Sequence, residues 1–499
     1  MRRFFLLAAV ALIGAVTSDP AVAGNAASDA GTVLSQALQA YRSGDCAKAT
    51  SLVAPVIAAP RSATGKQLSF AFDLAIECAR QAKDFAKVGD YAKRAIALDD
   101  GSDFAWTMAM AADFETQRYT AGLDTIDRML ANGRGGALNS ISPIYLLQVR
   151  TRISRAGDNA DETRLLAILS NPAYDPKDAA VKIDSTRDLM RAFYARKLVA
   201  AGKDEDARGQ IADLVGYSAL TEVAFDSRLR TLYGKPVDFR EVVEADLARH
   251  RAMLDRYPHA LAVTNAIALD LHRLGRDDEE IALLKATLPR LTASGEFDDL
   301  EDHLPWFWNA FAYAYVATGK YNEMVDAFTK GSELKEGDSP NVSQVINLAS
   351  QQVVFGRPKD ALVTLGRMGE SPAASPYGLM QIRSVRGCAY AALGELDKAR
   401  ADLAYAIAHE KDDPATVTAL DLCVGDEEGA AASYIRRLAS VDDRRTAMLD
   451  LADYDAPDPR APKSIVAPRF DRVRKRADVV AAIRAAGGPV RIHLQTEPF

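Results

Sequence analysis

The chain has 499 residues, 48% of them hydrophobic and 26% charged, with a formal net charge of −7 at pH 7. That is more chain than one ordinary core encloses, and a mild acidic excess is poorly suited to nonspecific nucleic-acid binding.

The N-terminus reads as an export signal. Arg2 and Arg3 precede the apolar run Phe4 to Val16, which is too short to span a bilayer as a mature helix. Ala21-Val22-Ala23 before Gly24 is a small-x-small cleavage site. Residues 1–23 are therefore predicted to be a signal peptide cut between Ala23 and Gly24, of the Gram-negative type, with residues 24–30 a flexible start to the mature chain. A membrane anchor and a twin-arginine signal are the weaker alternatives. With no cysteine near the cut, a lipoprotein is disfavoured, and the expected location is periplasmic or secreted. Losing Arg2, Arg3 and Asp19 takes the formal charge from −7 to −8. No later segment is long and apolar enough to form a membrane span.

A period then dominates the chain. Phe85 in Asp84-Phe85-Ala86-Lys87 and Tyr119 in Arg118-Tyr119-Thr120-Ala121 stand 34 residues apart in matching segments. Gln67–Asp100 and Gly101–Arg134 read as two copies of one helix–turn–helix unit. Related turns recur as Gly44-Asp45-Cys46-Ala47, Gly202-Lys203-Asp204-Glu205, Gly275-Arg276-Asp277, Gly319-Lys320-Tyr321, Gly356-Arg357-Pro358 and Gly394-Glu395-Leu396. The glycine lets the chain leave a helix through a left-handed conformation, and a small residue just beyond lets two helices approach closely. A period of this length marks a solenoid of stacked hairpins, each burying its apolar face against its neighbours. Tyr233-Gly234-Lys235-Pro236 is a breaker in the wide gap between Gly202 and Gly275, before a predicted helix Phe239–Tyr257. It divides the array into 31–235 and 236–450.

The units resemble tetratricopeptide repeats. Trp308, Tyr315 and Phe328 fall on consensus positions of that family in one unit, and Gly387, Tyr390, Ala399 and Ala406 in another. Trp106 takes the same place as Trp308, and Pro258 the terminal proline's. The resemblance covers most of residues 31–440. It implies an all-α fold, a right-handed α-α superhelical solenoid, and a protein or peptide partner held on the concave face. Trp306, Asn309 and Tyr313 occupy positions that line that face in the family, and Asn265, His272 and Arg273 hold similar places one hairpin earlier. Trp308 and Phe311 are expected to pack inside. Aromatics, amides and a cation suit an extended peptide, although the lysines that accompany such asparagines in a carboxylate clamp are missing.

Cys46 and Cys78, and Cys388 and Cys423, are 32 and 35 residues apart, each close to one repeat. Residues one repeat apart can be neighbours in a stack, so these are candidate disulfide pairs in an exported chain; buried free thiols are the alternative.

The repeat fades after Ala439. Residues 451–499 comprise the proline-rich connector Asp455–Pro462, a predicted capping helix Arg469–Ala486 and an extended tail in which Val490, Ile492 and Leu494 alternate. Arg469, Arg472, Arg474, Lys475 and Arg476 form a basic cluster, read as a solvated helix face or as a docking surface for an anionic partner. Terminal Phe499 lacks the alternation of an outer-membrane barrel strand.

Motifs for chemistry are missing. The histidines at 250, 259, 272, 303, 409 and 493 make no His-Glu-x-x-His pair or other metal spacing. There is no nucleotide-binding glycine loop ending in lysine, and Gly216-Tyr217-Ser218-Ala219-Leu220 lacks the second glycine of a nucleophile elbow. No catalytic, cofactor or metal residue is assigned. The leading reading is a non-enzymatic exported scaffold, with envelope assembly or secretion as settings. The alternatives are a glycan or peptidoglycan binder using the Trp306 cluster, and an enzyme or regulator using Asp450–Phe499.

Overall fold

In a computed structural model the described residues are 26–495, excluding 100, 173, 177–185, 294, 337–338 and 369–373. The expected signal peptide with its Ala23–Gly24 cut, and Phe499, lie outside them. Helix α1 runs from Ala26 to Arg42 and so begins within the stretch expected to be flexible.

Helical hairpins make up most of the described residues. After α1 come α2 (Cys46–Ala58), α3 (Gly65–Gln81), α4 (Phe85–Asp99), α5 (Asp103–Glu115) and α6 (Tyr119–Ala131). Then follow α7 (Pro143–Arg155), α8 (Asn159–Ser170), α9 (Thr186–Ala200), α10 (Asp204–Ile211), α11 (Tyr217–Phe225) and α12 (Ser227–Tyr233). The longer hairpins of the second half are α13 (Phe239–Arg256), α14 (Leu261–Arg273), α15 (Asp277–Leu291), α16 (Leu300–Ala317), α17 (Tyr321–Glu333), α18 (Val342–Val354) and α19 (Pro358–Gly366). The array ends with α20 (Pro376–Ala392), α21 (Leu396–Ala408), α22 (Pro414–Val424) and α23 (Glu427–Ala439), before α24 (Arg444–Asp450), α25 (Ala467–Arg474) and α26 (Ala477–Ala486). The fold is an all-α helical repeat solenoid. Its described strands are two-residue pieces: β1 (Lys335–Glu336) pairs antiparallel with β2 (Ser339–Pro340), and β3 (Asp453–Tyr454) pairs parallel with β4 (Arg491–Ile492).

The turn glycines behave as their sequence context requires. Gly44, Gly202, Gly275, Gly319, Gly356 and Gly394 all have φ between 69° and 84°. In the two copies that revealed the period, the same place is held by Lys83 and Gln117, with φ of 56° and 58°. They are the described non-glycine residues with positive φ, so the repeat geometry imposes a left-handed residue even where a side chain disfavours it.

Two compact units emerge, one from residues up to Ile141 with Val149–Arg164, the other from Ser142–Gln148 with Leu165 onward. The division runs through α7 and α8, so the boundary expected at 235/236 falls inside the second unit. Gly234 does end a helix there in the left-handed conformation, but α11, α12 and α13 share buried side chains across it: Tyr217 packs edge-on against Phe239 at 5.7 Å and Phe225 stacks on the same ring at 6.5 Å. A backbone breaker ends a helix without ending a core.

Both cysteine pairs stand at disulfide distance, Cys46–Cys78 with Cα atoms 5.3 Å apart and Cys388–Cys423 with Cα atoms 5.1 Å apart. Each staples a hairpin to the next, a loop size whose closure stabilises by ~3–4 kcal/mol in the chain-entropy view.

In the second unit the C-terminal segment folds back onto earlier hairpins. Ile492 and Leu494 are buried with Val243, Leu247, Leu271, Tyr434 and Leu438 in one cluster. The Asp453 and Asp455 amides donate to the Val490 and Leu494 carbonyls at 3.1 Å, and the Gln495 amide donates to the Arg273 carbonyl at 3.0 Å. The capping helix is broken rather than continuous, into α25 and α26. Val473 and Val479 are both fully buried; on one helix, residues six apart would face about 120° away from each other, and the break at Lys475–Arg476 turns both inward.

Candidate functional site

Helix α16 carries the aromatic cluster singled out by sequence. Its apolar residues at three- and four-residue spacing face inward: Phe311 stacks on Tyr315 at 4.8 Å and on Trp308 at 6.1 Å, and Phe307 meets Phe311 edge-on at 5.9 Å. Trp308 is partly buried beneath Lys330, whose Nζ lies 4.9 Å from the ring centroid. It packs, as its consensus position implies. Trp306 instead remains 53% exposed.

Amides stitch the successive first helices together. Asn347 Nδ2 donates to Asn309 Oδ1 at 2.9 Å, Asn265 Nδ2 donates to the His303 carbonyl at 3.0 Å, and Gln344 Nε2 donates to the Pro305 carbonyl at 3.2 Å. Asp299, just before α16, accepts from the Leu261 and Ala262 amides at 2.7 and 3.0 Å, capping α14 from the next hairpin. These bonds fix the spacing of the first helices, and so the setting of Trp306.

Three of the expected groove residues take other roles. Tyr313 is buried edge-on against Phe328 at 5.4 Å, and burial pushes its phenol up to about 12 against a hydrogen bond with Gln351. Its ring fills the gap between α16 and α17 because α17 presents Phe328 there. Arg273 lies under the C-terminal segment, with its guanidinium 4.2 Å from the centroid of the Tyr217 ring. His272 is 5% exposed and turned inward. Trp306, Asn309 and Asn265 thus remain for a surface site, with Asn265 part-buried.

His272 belongs to a second constellation that no local spacing announced. Its Nδ1 lies 2.8 Å from Asp277 Oδ1 and 3.3 Å from Glu280 Oε2, across the Gly275 turn between α14 and α15. Burial opposes the imidazolium, yet the two carboxylates raise the His272 pKa to about 10. Burial pushes the Glu280 carboxyl up to about 7 despite His272. The absence of a metal spacing around each histidine, read along the chain, missed this group because its members are joined only by the turn. The usable signal was an Asp-x-x-Glu opening a helix just after a histidine-ended one.

The basic cluster of the capping region has internal partners. Arg469 donates to the Leu422 and Cys423 carbonyls at 2.9 Å each, closing the end of α22. Arg472 pairs with Glu427 and Arg476 with Glu428, at the start of α23. The anionic surface on which these arginines dock is the last hairpin of the same chain. On the other side, Arg460 in the proline-rich connector pairs with Asp278 at 3.0 Å, and its carbonyl occupies the space a Cβ at Gly319 would need. Among the described residues no helix is long and apolar enough to cross a membrane.

No family model and no curated protein matches this sequence. Solved structures similar to the chain include the APC/C hetero-tetramer Cut9–Hcn1 (13% identity, 92% of this chain and 90% of that one, TM-score 0.29). Yeast Tom70 is another (11% identity, 92% and 95%, TM-score 0.31), as is Naa15/Naa10 bound to HypK (13% identity, 84% and 67%, TM-score 0.21). Scores this low do not carry the fold; the hairpins and their turns do.

Proposed function

We propose that the chain is an exported, non-enzymatic scaffold that holds a protein or peptide partner on the first-helix face around Trp306. The observation that carries the reading is Trp306 itself, 53% exposed on a helix whose other aromatics are packed. An exposed indole is costly to keep in water and gains most when a partner covers it. Asn309, three residues further along the helix, adds an amide of the kind that bonds an extended backbone. The Arg2-Arg3 start, the short apolar run and the Ala23–Gly24 cut support export to the periplasm or beyond, and disulfide-spaced cysteines are at home there. Tail residues such as Ile492 and Leu494 are spent on packing, which favours a scaffold over an enzyme working through residues 450–499.

The test places a photo-cross-linking amino acid at position 306 and, separately, at exposed Val363 on a second helix. Both proteins are expressed with the native N-terminus and irradiated in cells. A defined protein adduct from position 306 but not from 363, with a mature N-terminus at or near Gly24, is the expected result. An indole also stacks on sugar rings, so a glycan adduct at 306 would replace the partner class. Equal labelling at the two positions would refute the site, and an intact Met1 would refute export.

A further inference from the structure

We infer that His272, Asp277 and Glu280 form a binding site for one divalent transition-metal ion of the zinc class, which ties α14 to α15 beneath the C-terminal segment. Two independent observations point to it. The three residues are 5%, 2% and 1% exposed, and one ligand atom from each lies within 4.8 Å of the others. Separately, His272 Nδ1, both Asp277 carboxylate oxygens and Glu280 Oε2 are buried without a well-directed hydrogen-bond partner. Asp277 opens α15, yet neither of its oxygens caps that helix.

The first turn of α15 shows the contrast. Asp277, Asp278, Glu279 and Glu280 follow one another. The outward pair is matched by guanidinium groups: Asp278 by Arg460, and Glu279 by Arg276 and Arg251. The inward pair shares one imidazole. Two buried carboxyl groups opposite a single imidazole are poorly compensated away from water. A divalent ion with a neutral imidazole and two carboxylates closes the charge balance.

The spacing also suits a metal. Zinc ligands at about 2.1 Å stand about 3.0–3.4 Å apart between right-angled and tetrahedral arrangements. The two contacts from Nδ1, 2.8 and 3.3 Å, are close to that range. One nitrogen and two carboxylates fit zinc, manganese or cobalt better than calcium, which takes six to eight oxygens. Three protein ligands leave a coordination position for water. The Gln495 side chain would lie 2.8 Å from a Cβ at Gly275, so this turn is where the C-terminal segment sits down.

The test uses the full-length mature protein without a histidine tag, stripped by chelator and titrated with zinc chloride and, in parallel, cobalt chloride. Expected are one equivalent of zinc by elemental analysis, a rise in melting temperature on zinc addition, and a cobalt absorption band. In Asp277→Asn and Glu280→Gln the zinc affinity should fall at least tenfold and the band should disappear. A stripped wild-type protein that is folded, takes up no zinc and gains no thermal stability would overturn the proposal. So would uptake that both variants retain. If a variant fails to fold, the wild-type stoichiometry and cobalt spectrum still decide.

Discussion

The hairpin Asp103–Ala131 and the seam formed by residues 217–274 with the C-terminal segment bury similar side chains by different routes. In the hairpin, Trp106 and Phe114 are at most 1% exposed, and their neighbours lie within the hairpin or the next one. In the seam, Ile492 and Leu494 are equally buried, but in a cluster that includes residues more than 200 positions earlier, such as Val243 and Leu271. A repeat obtains its core locally and recurs in register. The seam closes only when the ends of a long stretch of chain meet. The hairpin is therefore expected to lose stability in proportion to side-chain volume, whereas the seam should lose the attachment of the C-terminal segment first.

The largest effect should come from the hairpin. Trp106→Ala removes a fully buried indole over which Arg128 lies at 5.1 Å, and should cost ~3–5 kcal/mol, read as a fall in melting temperature. In the seam, Leu494→Ala should cost ~2–4 kcal/mol. Its signature in hydrogen exchange is faster exchange at 453–455 and 490–495, with residues 26–131 unchanged. Uniform acceleration along the chain would erase the distinction between the two regions.

A smaller effect tests the local stack through pH. Asp73 accepts a 2.6 Å hydrogen bond from Ser102, the residue that caps α5, and burial raises its carboxyl to about 6 despite that bond. Because the folded value lies above the unfolded one, its protonated form favours folding. That contribution is present at pH 4 and lost as pH rises toward 6. Asp73→Asn should therefore be more stable than the parent at pH 7, by about 1–2 kcal/mol, and no more stable at pH 4. Melting both proteins across this range checks the sign. Smaller still, Lys83→Gly should stabilise by ~0.5–1 kcal/mol, because it removes the left-handed strain while adding chain entropy to the unfolded state. An equal loss would mean that the Lys83 side chain contributes more than its backbone costs.

The hairpins were legible because a glycine and a small residue mark many of the turns, and the repeat spacing carries the pattern through the turns of Lys83 and Gln117 that lack the glycine. The cysteine pairs were legible for the same reason: one repeat of separation puts two side chains on adjacent helices. The seam was not, since Ile492 and Leu494 carry a pattern but no sign of what they pack against. Nor was the burial of Tyr313, which depends on Phe328 facing it from α17. His272 looked like a groove residue because its carboxylate partners lie beyond Gly275 rather than one helical turn away. Arg472 and Arg476 read as part of a solvated helix face or a docking surface because Glu427 and Glu428, their partners, stand more than 40 residues before them.

The central claim is that Trp306 is a contact residue while Trp308 is a structural one. The direct measurement is the melting temperature and the affinity for a cross-linked partner of Trp306→Ala and Trp308→Ala, side by side with the parent. The account predicts that Trp306→Ala melts with the parent and loses roughly thirtyfold in affinity, equivalent to ~2 kcal/mol. Trp308→Ala should melt early and lose affinity only as it unfolds. Early melting of Trp306→Ala, with Trp308→Ala stable and defective in binding, would contradict it, as would unchanged affinity in a folded Trp306→Ala.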